Sequence, residues 1–223
     1  MTYEIIGGNL PAVLCRLEQG EQIVCESGAM SWMDDVFTMT TNGGGIGKMF
    51  GRAFTGESLF RNVYTAQRAG EIAFASSFPG NICAFELTGN NSIIAQRSSF
   101  LASTAGVNMS VFFQKTLGSS AFSGEGFILQ KFTGRGIVFI EIDGAAKEYK
   151  LAPGERKIMD TGHLVMMDGT CKIDIERVKG VKNALFGGEG FFNTVVTGPG
   201  RLVIQTMPIA KTAQTIITML PRK

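Results

Sequence analysis

Short apolar runs recur along the chain, and turns rich in glycine separate them. Residues 127–132 and 137–142 form one such pair of runs, and residues 191–196 and 201–205 form another. Runs of this length that carry aromatic and β-branched residues are typical of strands. Their close spacing predicts an all-β fold, organised as a sandwich or roll.

Two kinds of glycine turn connect the predicted strands. Thr-Gly-Arg-Gly occupies residues 133–136 and Thr-Gly-Pro-Gly occupies residues 197–200, whereas a Leu-x-x-Gly-Glu turn joins Ala12–Leu17 to Gln22–Glu26. Glycine supplies the positive φ that tight turns require. We therefore expect both kinds of turn to close β-hairpins.

The C-terminus alone has the periodicity of an amphipathic helix, between Pro208 and Pro221. Its apolar residues fall three or four places apart, on one helical face: Ile209, Ala213, Ile216, Ile217 and Leu220. We expect this short helix to be a packing or oligomerisation element, with membrane contact as the alternative.

Two motifs recur three times in the same phase. Phe-x-Gly-Glu places its glutamate at Glu57, Glu125 and Glu189, and a threonine follows eight residues after each glutamate. The Leu-x-x-Gly-Glu turn begins at Leu17 and at Leu151, and the copy at Leu87 keeps the turn but lacks the glutamate. From this leucine to the glycine of the Gly-Glu motif is 39, 37 and 37 residues in the three copies. The spacing predicts a triplicated module.

The repeats divide the chain into three predicted modules and a helical tail. Their bounds are 1–78, which contains a glycine-rich loop at 42–56, then 79–144, 145–207 and the tail 208–223.

The repeated glutamates Glu57, Glu125 and Glu189 have a structural and a functional interpretation. In the first, each carboxylate accepts backbone N–H bonds at a corner where flanking small residues allow close approach. In the second, the three acids converge on a metal with oxygen ligands. We favour the structural role, because every copy of a repeat inherits a structural residue.

The glycine-rich loop is not a phosphate-binding loop. Asn42 stands where the first glycine of that motif would fall, and Met49 replaces the Ser or Thr that binds magnesium. Lys48, Met49, Phe50 and Arg52 instead form a candidate surface-binding loop for a protein partner or an acidic lipid surface.

Candidates for catalysis are few. His163 is the single histidine, Ala29 and Ser99 occupy its positions in the other repeats, and the chain has no Gly-x-Ser-x-Gly elbow. The four cysteines form no metal-binding spacing, so we interpret them as buried thiols of a cytosolic protein. Trp32 is expected to fill a core or an interface. We predict no enzyme, no metal and no cofactor.

The charge content limits the possible partners. Of the 223 residues 18% are charged, and the formal net charge is +2. This composition argues against a disordered tail and makes nucleic acid an unfavourable partner. The first residues resemble neither a secretory signal nor a transit peptide, which predicts a cytoplasmic location.

The Gly-Glu-Gly-Phe and Thr-Gly-x-Gly repeats, the segment 55–60 and the glycine-rich loop before it together resemble the altered-inheritance-of-mitochondria family. The resemblance implies membership of a mitochondrial-biogenesis family. It also implies a fold like that of the tryptophan RNA-binding attenuator protein, which is of double-stranded β-helix type, with three such units in one chain. It also implies a homo-oligomer, with a trimer favoured. It transfers no catalytic residue and no RNA contact to this chain.

These observations favour a non-enzymatic, oligomeric β-scaffold or binding protein. Two alternatives remain: RNA binding through a ring-like surface, and peripheral membrane association through the loop at residues 48–54.

Overall fold

The computed structural model describes residues 1–42, 61–115, 127–177 and 192–219. Eighteen strands lie in these ranges, numbered in chain order. The first nine are β1 (Thr2–Ile6), β2 (Ala12–Leu17), β3 (Gln22–Glu26), β4 (Met30–Met33), β5 (Phe37–Asn42), β6 (Arg61–Ala66), β7 (Gly70–Ala75), β8 (Gly80–Thr88) and β9 (Ile93–Gln96). The others are β10 (Phe100–Thr104), β11 (Val107–Lys115), β12 (Phe127–Asp143), β13 (Ala146–Leu151), β14 (Arg156–Asp160), β15 (Leu164–Asp168), β16 (Lys172–Arg177), β17 (Phe192–Thr197) and β18 (Gly200–Gln205).

One α-helix, α1 (Ile209–Met219), follows the last strand, and short 3-10 helices occupy Arg97–Ser99 and Thr161–His163. The predicted all-β fold with a short C-terminal helix is confirmed. Helix α1 begins where the backbone N–H of Ile209 donates to Asp143 Oδ2 at 3.2 Å. This bond satisfies one of the N–H groups that a helix start leaves without an internal partner.

The chain forms two compact units. Unit 1 consists of Met1–Asn90, Ser98–Met109 and Phe132–Ile142; unit 2 consists of Asn91–Arg97, Ser110–Lys131 and Asp143–Lys223. In unit 1, β1, β2, β7 and β4 form one sheet in that order, and strands β10, β3, β6 and β5 follow one another in a second. In unit 2, strands β13, β18, β15 and β9 follow one another, and β14, β17 and β16 form a separate sheet.

Each unit has its own apolar core. The core of unit 1 includes Val13, Ile23, Phe74 and Phe139, all fully buried. The core of unit 2 includes Leu129, Leu164, Val196 and Leu202. Alternate residues of the strands supply these side chains, as expected for strands that bury one face.

The glycine turns do not close hairpins, so that prediction was wrong. In the described part of the chain, β2 pairs with β1 and β7, whereas β3 pairs with β6 and β10. The Leu-x-x-Gly-Glu turn therefore carries the chain from one sheet to another. Its Gly20 N–H donates to the Ala66 carbonyl at 2.8 Å, and the Ala66 N–H donates to the Glu21 carbonyl at 3.0 Å. Two sheet-to-sheet corners thus bond to each other, and glycine with a positive φ suits such a corner as well as a hairpin.

The same pairings occur in three successive segments. In the first, β2 and β4 flank β7, while β3 and β5 flank β6. In the last, β13 and β15 flank β18, while β14 and β16 flank β17. Between them, β8, β10 and β11 each pair with the long strand β12.

Even an irregularity of the pairing recurs. Strands β4, β10 and β15 each shift register by one residue after their first pair, as in a β-bulge. The flanking pairs are Met30↔Phe74 and Trp32↔Ala73, Phe100↔Ile140 and Ala102↔Phe139, and Leu164↔Ile204 and Met166↔Val203. The shared shift aligns Trp32 with Ala102 and Met166, residue by residue.

Candidate functional site

The residues first singled out as site candidates lie outside the described residues. These are the repeat carboxylates Glu57, Glu125 and Glu189 and the loop residues Lys48, Met49, Phe50 and Arg52. Their roles remain predictions. Within the described ranges, no group of three or more His, Cys, Asp or Glu side chains is arranged to hold a metal ion.

His163 makes a structural contact. Its Nδ1 lies 2.7 Å from the carbonyl oxygen of Gln205, and because a carbonyl only accepts, Nδ1 carries the proton and donates. The Gln205 side chain in turn donates to the Gly162 carbonyl at 3.0 Å. His163 therefore fastens the short helix Thr161–His163 to β18.

The buried cysteines are poor nucleophiles. Burial raises the pKa of the Cys15 and Cys25 thiols to about 12 in each case, and nearby Glu71 and Glu26 add smaller contributions. Burial also raises the pKa of Cys171. Because the thiolate is the reactive form, these three side chains act as small apolar residues of the core.

Two strand pairs join neighbouring segments of the chain, and we call them the internal junctions. In unit 1, β10 pairs with β3 through Ala102↔Cys25, Ser103↔Val24 and Thr104↔Ile23. In unit 2, β15 pairs with β9 through Met166↔Ala95, Met167↔Ile94 and Asp168↔Ile93. Counting from the Leu-x-x-Gly-Glu turns aligns Ile23 with Ile93, and the bulges align Ala102 with Met166. The two internal junctions therefore have the same register.

Strands β4 and β14 are the counterparts of these junction strands, but each has an open edge. β4 corresponds to β10 and β15, and β14 corresponds to β3 and β9. Among the described residues β4 pairs only with β7, and β14 pairs only with β17. Each therefore has one side with no paired strand in the described part of the chain, and we call these two sides the open edges.

Each open edge carries exposed apolar side chains. Trp32 is 48% exposed, Met33 is 37% exposed and Ile158 is 55% exposed. At the internal junctions, by contrast, Ala102 and Met166 are 0% exposed and Ile94 is 2% exposed. Trp32 is therefore not a core residue of this chain. An exposed apolar edge strand is a template for pairing with another strand.

At the end of each of the strands β4, β10 and β15, a side-chain oxygen accepts a backbone N–H of the neighbouring strand. Asp34 Oδ2 accepts the Glu71 N–H at 2.8 Å, and Thr104 Oγ1 accepts the Ile137 N–H at 3.0 Å. Asp168 Oδ2 accepts the Arg201 N–H at 2.8 Å. This position forms no sequence motif, because Asp and Thr share an acceptor oxygen and not a residue type.

Asp168 also pairs with the Arg201 side chain. The guanidinium donates through Nε to both carboxylate oxygens at 3.2 Å and through Nη2 to Oδ1 at 3.0 Å. This hydrogen bonding raises the pKa of Arg201. A fork of this kind fixes the geometry between β15 and β18.

The comparisons with known proteins agree with the fold. The family model described as mitochondrial biogenesis AIM24 matches residues 3–207. The chain belongs to this family. Among solved structures, the crystal structure of the protein SPYM3_0169 from Streptococcus pyogenes is similar, with a TM-score of 0.82 and 25% sequence identity. The match covers 98% of this chain and 99% of the other. Among the curated proteins, none matches.

Helix α1 leaves apolar side chains exposed, so the AIM24-family chain has a second apolar surface. Ile216, Ile217 and Met219 are 55%, 66% and 76% exposed. Leu220, the last predicted member of this face, lies outside the described residues. No helix in the described part of the chain is long and apolar enough to span a membrane.

Proposed function

We propose that this chain is a non-enzymatic β-protein that assembles from several copies and acts as a scaffold or binding module. One observation carries the proposal: Trp32 and Met33 are exposed at an open edge, whereas the residues at the matching positions of the internal junctions are buried. Exposed apolar strand edges are costly in isolation, and soluble proteins normally cover or blunt them.

The recurrence of pairings supports three tandem modules with bounds 1–78, 79–144 and 145–207. Each module supplies one strand to the next at an internal junction. A row of like modules that ends in two unmatched strands can be extended by the same contact. Further copies of the chain provide matching partner strands without any change in the fold.

The described candidates for chemistry support a non-enzymatic role. His163 is bound to the Gln205 carbonyl, and Cys15 and Cys25 are buried with raised pKa values. The family description names a cellular process, mitochondrial biogenesis, and no reaction. For this chain we propose a cytoplasmic location, which its buried thiols support, because thiols persist in reducing compartments.

Light scattering coupled to size-exclusion chromatography tests the proposal. We expect a homo-oligomer well above the 24.0 kDa of one chain, with a trimer favoured. A single species at the mass of one chain, at every concentration examined, would overturn self-assembly.

A further inference from the structure

We infer that copies of this chain join head to tail, with β4 of one copy pairing antiparallel to β14 of the next. The inference rests on the proposed self-assembly and specifies its contact. Both strands have an open edge, and each corresponds to a strand that is paired at both internal junctions.

The internal junctions supply the register. Trp32 corresponds to Ala102 and Met166, which pair with Cys25 and Ala95. The residue of β14 that corresponds to Cys25 and Ala95 is Met159, because Cys25 faces Asn62 and Met159 faces Thr194 at matching positions of β6 and β17. The contact is therefore Trp32↔Met159, Met33↔Ile158 and Asp34↔Lys157.

This register buries the exposed apolar side chains of both edges. Met33 and Ile158 become directly opposed, and Trp32 lies opposite the partly buried Met159. Their counterparts at the junction of β15 and β9 show the result of such pairing, since Met166, Met167 and Ile94 are at most 2% exposed. Cross-strand apolar pairs of this kind stabilise a sheet relative to Ala pairs.

The same register opposes unlike charges. Asp34 of one copy lies opposite Lys157 of the next. At the matching positions of the internal junctions, an isoleucine takes the place of the lysine: Ile23 opposite Thr104, and Ile93 opposite Asp168. In the isolated chain, the Lys157 ammonium lies 4.3 Å from the centroid of the Tyr149 ring. At this repeat position, lysine replaces isoleucine only in β14, the strand with an open edge. A lysine on an edge strand also disfavours pairing with strands of other proteins.

The contact joins two different surfaces, so it does not end with a dimer. Each copy keeps one open β4 and one open β14 after it has bound a single neighbour. Contacts of this type form a ring where the rotation closes, and an open filament where it does not. A second copy of this chain is therefore the occupant of each open edge.

Complementary edge-blocked variants test the inference. Trp32→Lys blocks β4, and Ile158→Lys blocks β14, each at a position already exposed to solvent. Each variant alone should be a folded monomer. Mixed together, they should form a one-to-one dimer and nothing larger, because only one intact β4 and one intact β14 remain. Met39→Lys is the control: Met39 is 52% exposed on β5, outside the contact, and should leave the assembly intact.

The outcomes separate this inference from the proposed function. A wild-type chain that is monomeric overturns both. A wild-type oligomer whose edge-blocked variants stay oligomeric overturns the β4–β14 contact and leaves self-assembly standing. Monomeric variants that do not combine on mixing overturn the head-to-tail arrangement.

Disulfide trapping tests the register and does not depend on the lysine variants. Two double variants, Met33→Cys with Ile158→Cys and Trp32→Cys with Met159→Cys, place cysteines directly opposite. Adjacent antiparallel pairs alternate between narrow and wide spacing, so at least one of the two should cross-link between copies under mild oxidation. Met33→Cys with Arg156→Cys is two residues out of register and should cross-link at least tenfold more slowly. Equal trapping of all three double variants, or of none, would contradict the register.

Discussion

The internal junctions and the open edges are built from corresponding strands, yet they differ in exposure. At the junction of β15 and β9, Met166 and Ile94 are buried by the neighbouring strand. At the open edges, Trp32 and Ile158 occupy the matching positions and are about half exposed. The difference lies in whether a partner strand is present and not in the character of the side chains. A strand that stays apolar without a partner in its own chain points to a partner in another.

The largest expected contrast is between lysine substitutions at matching positions. Met166→Lys places a charge in a fully buried site without a partner and should destabilise the fold by about 3–5 kcal/mol. Trp32→Lys should change the stability of the isolated chain by less than about 1 kcal/mol, because Trp32 is exposed there. Urea unfolding at low protein concentration measures both. Equal losses in the two variants would show that the open edge is packed within the chain.

The strand-end acceptors offer a second contrast. Asp168→Ala removes the acceptor for the Arg201 N–H and the fork to its side chain, with an expected loss of about 2–3 kcal/mol. Asp34→Ala removes the side-chain acceptor of a single backbone N–H, that of Glu71, on the exposed edge and should cost about 1 kcal/mol. Asp34→Asn, which keeps an acceptor oxygen, is the matched control. Thermal unfolding ranks the three variants, and a larger loss for Asp34→Ala than for Asp168→Ala would reverse the comparison.

Reversing a charge at the open edge should weaken assembly modestly. Lys157→Glu places a second acid opposite Asp34 and should raise the dissociation constant up to about fivefold, from a cross-strand effect of at most about 1 kcal/mol. Lys157→Gln should have a smaller effect, since it removes the attraction without adding repulsion. Sedimentation measures both constants. No change in either variant would place Lys157 outside the contact.

The smallest effect concerns Asp143, whose carboxylate accepts the Ile209 N–H at the start of α1. Burial raises its pKa above the usual 3.8, although the Ile209 N–H bond opposes this. The folded state therefore binds a proton more tightly, so stability falls as the pH rises from 3.8 through the raised pKa. Asp143→Asn removes this dependence and should stabilise the chain at neutral pH, relative to wild type, by less than about 1 kcal/mol. The difference should vanish below pH 3.8 in thermal unfolding, and assembly should not change.

Local sequence patterns predicted strands and a helix, but they did not predict which strands pair, because pairing depends on strands that are distant in the chain. The apolar runs placed β2 and β3 at their observed bounds, and the periodicity after Pro208 predicted α1. The turn between β2 and β3 looked like a hairpin because glycine with a positive φ suits both a hairpin and a corner between sheets. Which of the two forms depends on β6, β7 and β10, whose residues are far away in the chain.

The open edges were beyond local reasoning for the same reason. Whether an apolar strand residue is covered depends on a partner strand that is distant in the chain or belongs to another copy, so an interface position and a core position look alike in sequence. A usable signal was nevertheless present: Lys157 stands at the repeat position that Ile23 and Ile93 occupy. A charge at an otherwise apolar strand position indicates an edge. The repeated glutamates form an identical motif that the sequence shows directly, whereas exposure is a property of the folded chain.

The fluorescence of Trp32, followed together with mass as the protein is diluted, tests the central claim most directly. It is the only tryptophan in the chain, so its emission reports a single edge. We predict blue-shifted emission in the assembled protein and a red shift that follows dissociation, with Ile158→Lys red-shifted at every concentration. Emission that stays constant while the mass falls from oligomer to monomer would contradict pairing at β4.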